Sequence, residues 1–539
     1  MSNERQTFET EEVSLKASDG TLLTTLIYHP NVSQSAPTLL QRTCYGRKIM
    51  ADIFGVWFAN RGYRVVFQDC RGTGNSGGEM DYFKEATDGR LTADWIASQP
   101  WFDGALGTFG ESYMGFTQYA LASTNPPYLK AMAIAMAAAD RRSTWYPGNS
   151  FSVELCLIYW WSQAFGLSED GWINDRERGE AKLAKALMTL PLRIADEVAV
   201  GKAVKWYRAQ LEHASPEDRY WEPLNAAPSL PVSEVPTLLI GGWYDLVAPP
   251  MIRDFQQLLR GPAPCRLVMG PWTHMSRVME NDHEESNRQM LAWFDTHLRK
   301  KEKPRRSSVS LYLMPNVGWT DVPAWPPLGT VQDWHLQPKA GLSRRVARES
   351  SPDSFTYDPA DPTPTAGGIS VRHEKSGPAD NRAIESRSDV VTYSSDPLPE
   401  DVDVVGSIRA RIYVEADVGN FDLFVRVCDV HPDGRSMNVS EGLLRHQMQR
   451  QDTPHRIEFD LWPTAYRFAA GHRFRVQVSG GCHPVYARNT CSGEALGDAV
   501  TITLAHLKIH HDSRYSSVVA LPVTTQLSAL QPKKSQDGA

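Results

Sequence analysis

The chain has 539 residues, 41% of them apolar and 22% charged, with 38 Gly and 36 Pro. At roughly 150 residues per domain this is two to four packed units, which excludes a single small module and a disordered or fibrous chain. Lys and Arg number 56 against 63 Asp and Glu, and the formal net charge of -7 gives no electrostatic case for nucleic acid or an anionic lipid surface.

The first residues, MSNERQTFETEEVSLKASDG, lack a basic start followed by an apolar stretch, so no secretory signal is visible. The longest apolar run, 131–139, falls far short of the roughly 20 residues that a spanning helix needs. A cytoplasmic chain with no membrane partner is expected. Cysteines at 44, 70, 156, 265, 428, 482 and 491 form no C-x-x-C pair, and read as reduced core thiols rather than a disulfide framework or zinc knuckle.

From residue 11 to about 300, strand and helix patterns alternate, the signature of a parallel sheet with crossover helices. Runs 13–16 and 22–28 flank Asp19-Gly20, a hairpin signal. Apolar runs at 38–40, 63–67, 132–137, 237–240 and 265–269 fit buried parallel strands. Residues 251–260 are apolar at 251, 252, 255, 258 and 259, hence helical, and complete a βαβ unit. Between 145 and 229 strand patterns give way to helical ones, an insertion over the sheet. After Lys303-Pro304, strict alternation at Ile408, Ala410, Ile412 and Val414 and at Phe474, Val476 and Val478 predicts an antiparallel sandwich of jelly-roll type. The expected parts are 1–144 with 230–303, a cap at 145–229, a sandwich at 304–523 and a polar tail at 524–539.

Two serines compete as nucleophile. Gly74-Asn75-Ser76-Gly77-Gly78 matches G-x-S-x-G, yet two glycines follow Ser76 where a nucleophile elbow needs a helix to begin. In Gly110-Glu111-Ser112-Tyr113-Met114-Gly115 the second glycine stands one place later, but 106–109 can form the preceding strand and 116–122 the following helix. Context favours Ser112, whose helix amides would face a forming oxyanion. A serine hydroxyl needs a base, and the base an orienting acid. Asp245 lies just beyond the run 237–240, and His274 just beyond 265–269. The order Ser112, Asp245, His274 is that of an α/β-hydrolase.

GESYMG at 110–115, GGWYD at 241–245, GPWTH at 270–274, the loop DCRGTGNSGG at 69–78, DPADPTPTAGG at 358–368 and RSDVVTY at 387–393 together resemble the cocaine esterase family. These are the CocE/NonD hydrolases, grouped with X-Pro dipeptidyl-peptidases, and the resemblance covers roughly 11–523. It implies an α/β-hydrolase domain, a helical cap inserted after the nucleophile helix, and a C-terminal jelly-roll, galactose-binding-like domain that helps close the site. It also implies an oxyanion hole made from a tyrosine hydroxyl, here Tyr45, and the backbone amide of Tyr113.

Relatives acting on α-amino acid esters carry carboxylates just after the triad acid, where this chain has Leu246-Val247-Ala248-Pro249. An ammonium would lack its partners there. An ester or amide with an apolar or aromatic acyl group is the expected substrate, with an X-Pro dipeptidyl-peptidase or acylase as the alternative. Candidate pocket residues are Trp145, Tyr146, Trp160, Trp161 and Val247. Arg141 and Arg142 could hold a carboxylate but read as a strand-capping or solvated pair. No metal or organic cofactor is called for, since no H-E-x-x-H pattern occurs. The oligomeric state is left open, a homodimer included. The competing non-enzymatic reading is a carbohydrate-binding protein on an inert hydrolase scaffold, which gives no reason for all three triad residues to stand in order.

Overall fold

In the computed structural model of the chain, residues 8–31, 36–164, 176–276, 283–301, 307–447 and 453–527 are described. Strands β1 (Phe8–Lys16) and β2 (Leu22–Pro30) form the expected hairpin, with Lys16 opposite Leu22. Gly20 takes a φ of 87° in its turn, a left-handed value that a Cβ disfavours.

The sheet continues through β3 (Thr38–Thr43), β4 (Arg64–Asp69), β5 (Leu106–Glu111), β6 (Leu129–Ala135), β7 (Thr237–Tyr244) and β8 (Cys265–Thr273). These six pair in parallel in the order β4-β3-β5-β6-β7-β8, with β2 antiparallel on β4. Strands β3, β4, β5 and β7 are buried at every residue, which is why their sequences read as unbroken runs rather than alternations. The helix Ala248–Leu258 links β7 to β8 and buries Met251, Ile252, Phe255 and Leu258 as its periodicity predicts, while Leu259, expected on the same face, caps the helix and is exposed.

The sheet runs past the boundary expected at residue 304. Strand β9 (Ser307–Leu313) adds in parallel to β8, and β10 (Gly318–Val322) adds antiparallel to β9. Alternating Val309, Leu311 and Leu313 are buried and give β8 an apolar neighbour instead of a bare edge.

Between β6 and β7 the described residues are helical or irregular, including the helices Arg141–Trp145, Val153–Ala164, Arg176–Leu187 and Lys205–Glu212. This cap shares a core with the sheet domain: Trp145, Phe151, Leu157, Tyr207 and Trp221 pack in one cluster with Tyr82, Tyr113 and Phe116. Its apolar face is therefore anchored over the helix Tyr113–Ala122, which follows Ser112.

The C-terminal domain holds β11 (Thr330–Gln337), β12 (Gly341–Ser343), β13 (Asp353–Tyr357), β14 (Val390–Ser394), β15 (Val402–Ala416), β16 (Asn420–Val430), β17 (Ser436–Gln447), β18 (His455–Phe468), β19 (Arg473–Ser479), β20 (Ala505–His510) and β21 (Val518–Val523). Among these strands pairing is antiparallel except for one residue pair between β12 and β14. Along β15, Ile408, Ala410, Ile412 and Val414 are buried while the residues between them are not. One hydrophobic core runs from the main sheet into this sandwich. Across that junction Trp243 stacks on Trp325, with centroids 5.5 Å apart, and donates its indole N–H to the Tyr312 carbonyl at 2.8 Å. All seven cysteines are unbridged and buried. No helix among the described residues is long and apolar enough to cross a membrane. The expected tail lies, beyond residue 527, outside the described residues.

Candidate active site

Ser112, Asp245 and His274 each directly follow a strand, β5, β7 and β8 respectively. Ser112 sits at φ 56° and ψ -120°, a strained backbone for a residue with a side chain. The local sequence makes room for it. A Cβ on Gly110, at φ 142°, would meet Cβ of Met114 at 2.5 Å, and one on Gly115 would meet Cβ of Ala137 at 2.4 Å. The Ser112 N–H donates to the Ala135 carbonyl at 3.0 Å, tying the elbow to β6.

The Oγ of Ser112 lies 3.1 Å from Nε2 of His274, and Nδ1 of that ring lies 3.1 Å from each carboxylate oxygen of Asp245. Asp245 is fully buried; its Oδ1 also accepts the Val247 N–H at 2.8 Å, and its backbone carbonyl accepts the indole N–H of Trp462 at 3.0 Å. Burial pulls the His274 pKa down, but the charge and hydrogen bonds of Asp245, with the charge of Glu111, outweigh it and hold the ring above its ordinary value. A Cβ on Gly242 would lie 2.1 Å from the Trp272 carbonyl oxygen, so the acid's strand needs glycine to approach the histidine's strand closely.

Tyr45, two residues beyond β3, places its hydroxyl 3.2 Å from the Ser112 Oγ, and the Tyr113 amide approaches the same hydroxyl. Burial pushes the Tyr45 pKa well up, helped by Cys44 and opposed by the Ser112 hydrogen bond. The phenol therefore keeps its proton and remains a donor. The side chain of Tyr113 turns away and donates to Glu85 at 2.6 Å; Glu85 is buried against Arg42, which also donates to Gln68 at 2.8 Å.

The other serine belongs to a structural loop. Ser76 accepts the Thr24 N–H and donates to the Asp69 carbonyl, both at 2.8 Å. The Asp69 carboxylate accepts from Arg47 and from the Asn75 N–H, and a Cβ on Gly74 would strike it at 2.3 Å. The residues 69–78 thus form a loop built around one carboxylate.

A narrow cavity of about 30 Å³ opens on Ser112 and His274, lined by Phe116, Met136, Leu155, Leu246, Val247 and Trp145 together with Arg141. Of the sequence candidates, Trp145 and Val247 are here. Tyr146 is not: its hydroxyl donates to the Gln210 carbonyl at 2.8 Å, and its ring lines a separate cavity of about 600 Å³ between cap and sandwich. Trp160 and Trp161 stand on the helix Val153–Ala164, but their side chains lie outside the described residues. Arg141, expected at a strand end or in solvent, is buried, its guanidinium 4.7 Å from the Tyr82 ring, 4.8 Å from Trp145 and 4.9 Å from Phe116. Its neighbour in sequence, Arg142, carried no different signal. No Asp or Glu is among the described residues lining this cavity.

A mixed α/β sheet with a serine at a strand-to-helix elbow defines the class: the chain is a serine hydrolase of the α/β-hydrolase fold. Residues 19–276 match the family described as X-Pro dipeptidyl-peptidase (S15 family), and residues 302–520 match the X-Pro dipeptidyl-peptidase C-terminal non-catalytic domain. The chain is 31% identical to the cocaine esterase of Rhodococcus sp. (strain MB1 Bresler), an alignment covering 94% of this chain and 96% of that one. It belongs to the cocaine esterase (CocE/NonD) family. Among solved structures, an aminopeptidase from a marine sediment archaeon, Thaumarchaeota archaeon, superposes with a TM-score of 0.82 at 21% identity, covering 97% of this chain and 98% of that one. An α-amino acid ester hydrolase superposes at 0.78 with 23% identity over the same shares. Both likenesses are of fold.

Proposed function

We propose that this protein hydrolyses carboxylic esters of apolar or aromatic acids through an acyl-enzyme formed on Ser112. The observation that carries the reading is the unbroken chain of contacts from Ser112 Oγ through His274 to buried Asp245, each at 3.1 Å. Nε2 of His274 takes the Ser112 proton as Oγ attacks the carbonyl carbon; Asp245 fixes the ring with its Nδ1 proton inward and stabilises the imidazolium. The carbonyl oxygen, turning anionic, swings toward the Tyr45 hydroxyl and the Tyr113 amide, two donors set before the reaction starts. His274 returns the proton to the departing alkoxide. A water, deprotonated by the same nitrogen, then attacks the acyl carbon and frees Ser112.

Substrate preference follows the cavity wall. Phe116, Leu155, Leu246, Val247 and Trp145 favour an apolar acyl group, and a substrate ammonium would meet Arg141 rather than a carboxylate, which argues against α-amino acid esters. The relative named a cocaine esterase supports an ester over an X-Pro peptide. The decisive experiment compares Ser112→Ala with Ser76→Ala on nitrophenyl esters. The first should lose several orders of magnitude in kcat/KM and all fluorophosphonate labelling, and the second should lose neither; near-normal activity of Ser112→Ala sinks the proposal. A panel of nitrophenyl esters, an aromatic amide and an X-Pro anilide tests the preference, and faster anilide than ester cleavage would reverse it.

A further inference from the structure

The C-terminal sandwich gathers a second set of reactive side chains, none of which lines the cavity at Ser112. Asp429 stands near the end of β16, His431 opens the turn that follows, and His472 directly precedes β19, the strand that sets Arg473 opposite Val430. Pairing alone brings together residues more than forty positions apart in sequence. Nδ1 of His472 lies 2.8 and 3.0 Å from the two oxygens of Asp429, Nε2 of His431 lies 3.5 Å from Oδ2, and the two imidazole centroids are 4.4 Å apart. One donor atom from each residue falls within 4.8 Å of the other two, the one such group of His, Cys, Asp and Glu among the described residues.

The carboxylate is what makes the cluster unusual. The Asp429 side chain is 2% exposed, yet among the described residues its side-chain partners are the two imidazoles and the Tyr466 hydroxyl, which donates to Oδ2 at 3.0 Å. Other buried aspartates of this domain, Asp403 and Asp422, each hold an arginine in a two-pronged pair. A buried carboxylate without a lysine or arginine calls for another positive charge.

We propose that Asp429, His431 and His472 bind a divalent transition metal, zinc above all. Two neutral imidazoles and one carboxylate suit zinc, whereas calcium and magnesium select all-oxygen shells. Tetrahedral ligands about 2.0–2.1 Å from zinc stand about 3.4 Å from one another, and the spacings of 2.8 and 3.5 Å bracket that value. The widest pair closes by a turn of His431, whose side chain is 22% exposed. Tyr466 supplies the outer hydrogen bond that aims the carboxylate. Metal at Nε2 of His431 leaves the proton on Nδ1, so the Arg435 guanidinium, 3.4 Å from that nitrogen and ion-paired with exposed Asp433, turns to solvent. Water fills the fourth position. The bound ion would clip the turn after β16 to the turn before β19.

Full-length protein stripped with chelator, equilibrated with micromolar zinc chloride and desalted should retain about one zinc per chain by mass spectrometry and melt higher than the metal-free form. His431→Gln and His472→Gln should each weaken zinc binding at least tenfold while their metal-free melting temperatures stay near that of metal-free wild type. Should His472→Gln fail to fold, His431→Gln decides by itself, because that side chain is partly exposed and its replacement leaves the core packed. Wild type that retains no zinc, or variants that retain as much as wild type, overturn the proposal; the second result would place the ion on other histidines or on thiols.

Discussion

Trp462, on β18 of the C-terminal sandwich, donates its indole N–H to the main-chain carbonyl of Asp245 at 3.0 Å. The loop carrying the proposed triad acid is therefore tied by a hydrogen bond to the C-terminal domain. Trp462→Phe keeps most of the ring volume but removes the donor. We expect kcat for ester hydrolysis to fall about 3–10-fold with KM within about twofold, and stability to drop by about 1–2 kcal/mol. Steady-state kinetics and thermal melts check this; kinetics equal to wild type would mean that the loop holds its position without the indole.

Tyr45→Phe removes one of the two proposed oxyanion donors and leaves the ring. Since that donor acts on the anion that forms in the transition state, kcat should fall about 10²-fold or more while KM changes little. A rise in KM at constant kcat would assign the hydroxyl to substrate binding instead.

Much of this arrangement is legible in the sequence because it rests on strand ends. Buried runs give the parallel strands, and the residues directly after three of them are Ser112, Asp245 and His274. Ser76 has the better letter match, but only Ser112 directly precedes a helix, and its backbone stands at φ 56°. What escapes the sequence is the direction of neighbouring side chains. Trp145 faces Ser112 while Tyr146, one residue on, faces the sandwich. Arg141 enters the cavity wall while Arg142 reaches the Ala214 carbonyl at 2.7 Å. Glu85, which anchors the Tyr113 side chain at 2.6 Å, has no motif around it, because a buried ion pair is made by packing and not by spacing. Strands β9 and β10, which end the main sheet beyond β8, fall by position within the expected sandwich, since alternation marks a half-buried strand without saying which sheet it joins.

The raised pKa of His274 predicts a pH profile. The general base works only when neutral, so kcat/KM should fall as pH drops through an apparent pKa above the ordinary imidazole value of about 6.5. In Asp245→Asn the charge that raises it is gone, so the inflection should move to lower pH, and the rate should drop by about three to four orders of magnitude because the ring loses its tautomer. An inflection that stays in place in the variant would show that the titrating group is not His274.

Asp254, buried on the helix Ala248–Leu258, accepts the Ala139 N–H at 2.7 Å and so ties that helix to the chain leaving β6. Burial pushes its carboxyl up to about 7, against the opposing pull of the Ala139 hydrogen bond. A carboxyl raised in the folded state favours folding while protonated; its contribution is complete below the unfolded value of about 3.9 and is lost as pH rises through about 4 to 7. Asp254→Asn keeps an acceptor for Ala139 and can never ionise. Its melting temperature should equal that of wild type near pH 4, pull ahead between pH 4 and 7, and keep a constant lead above that, by on the order of 4 kcal/mol or 4 °C at pH 8. Only the difference between the two proteins isolates this carboxyl, because every other titrating group is common to both. A variant less stable than wild type at pH 8 would show that the ionised carboxylate holds Ala139 more strongly than burial opposes it.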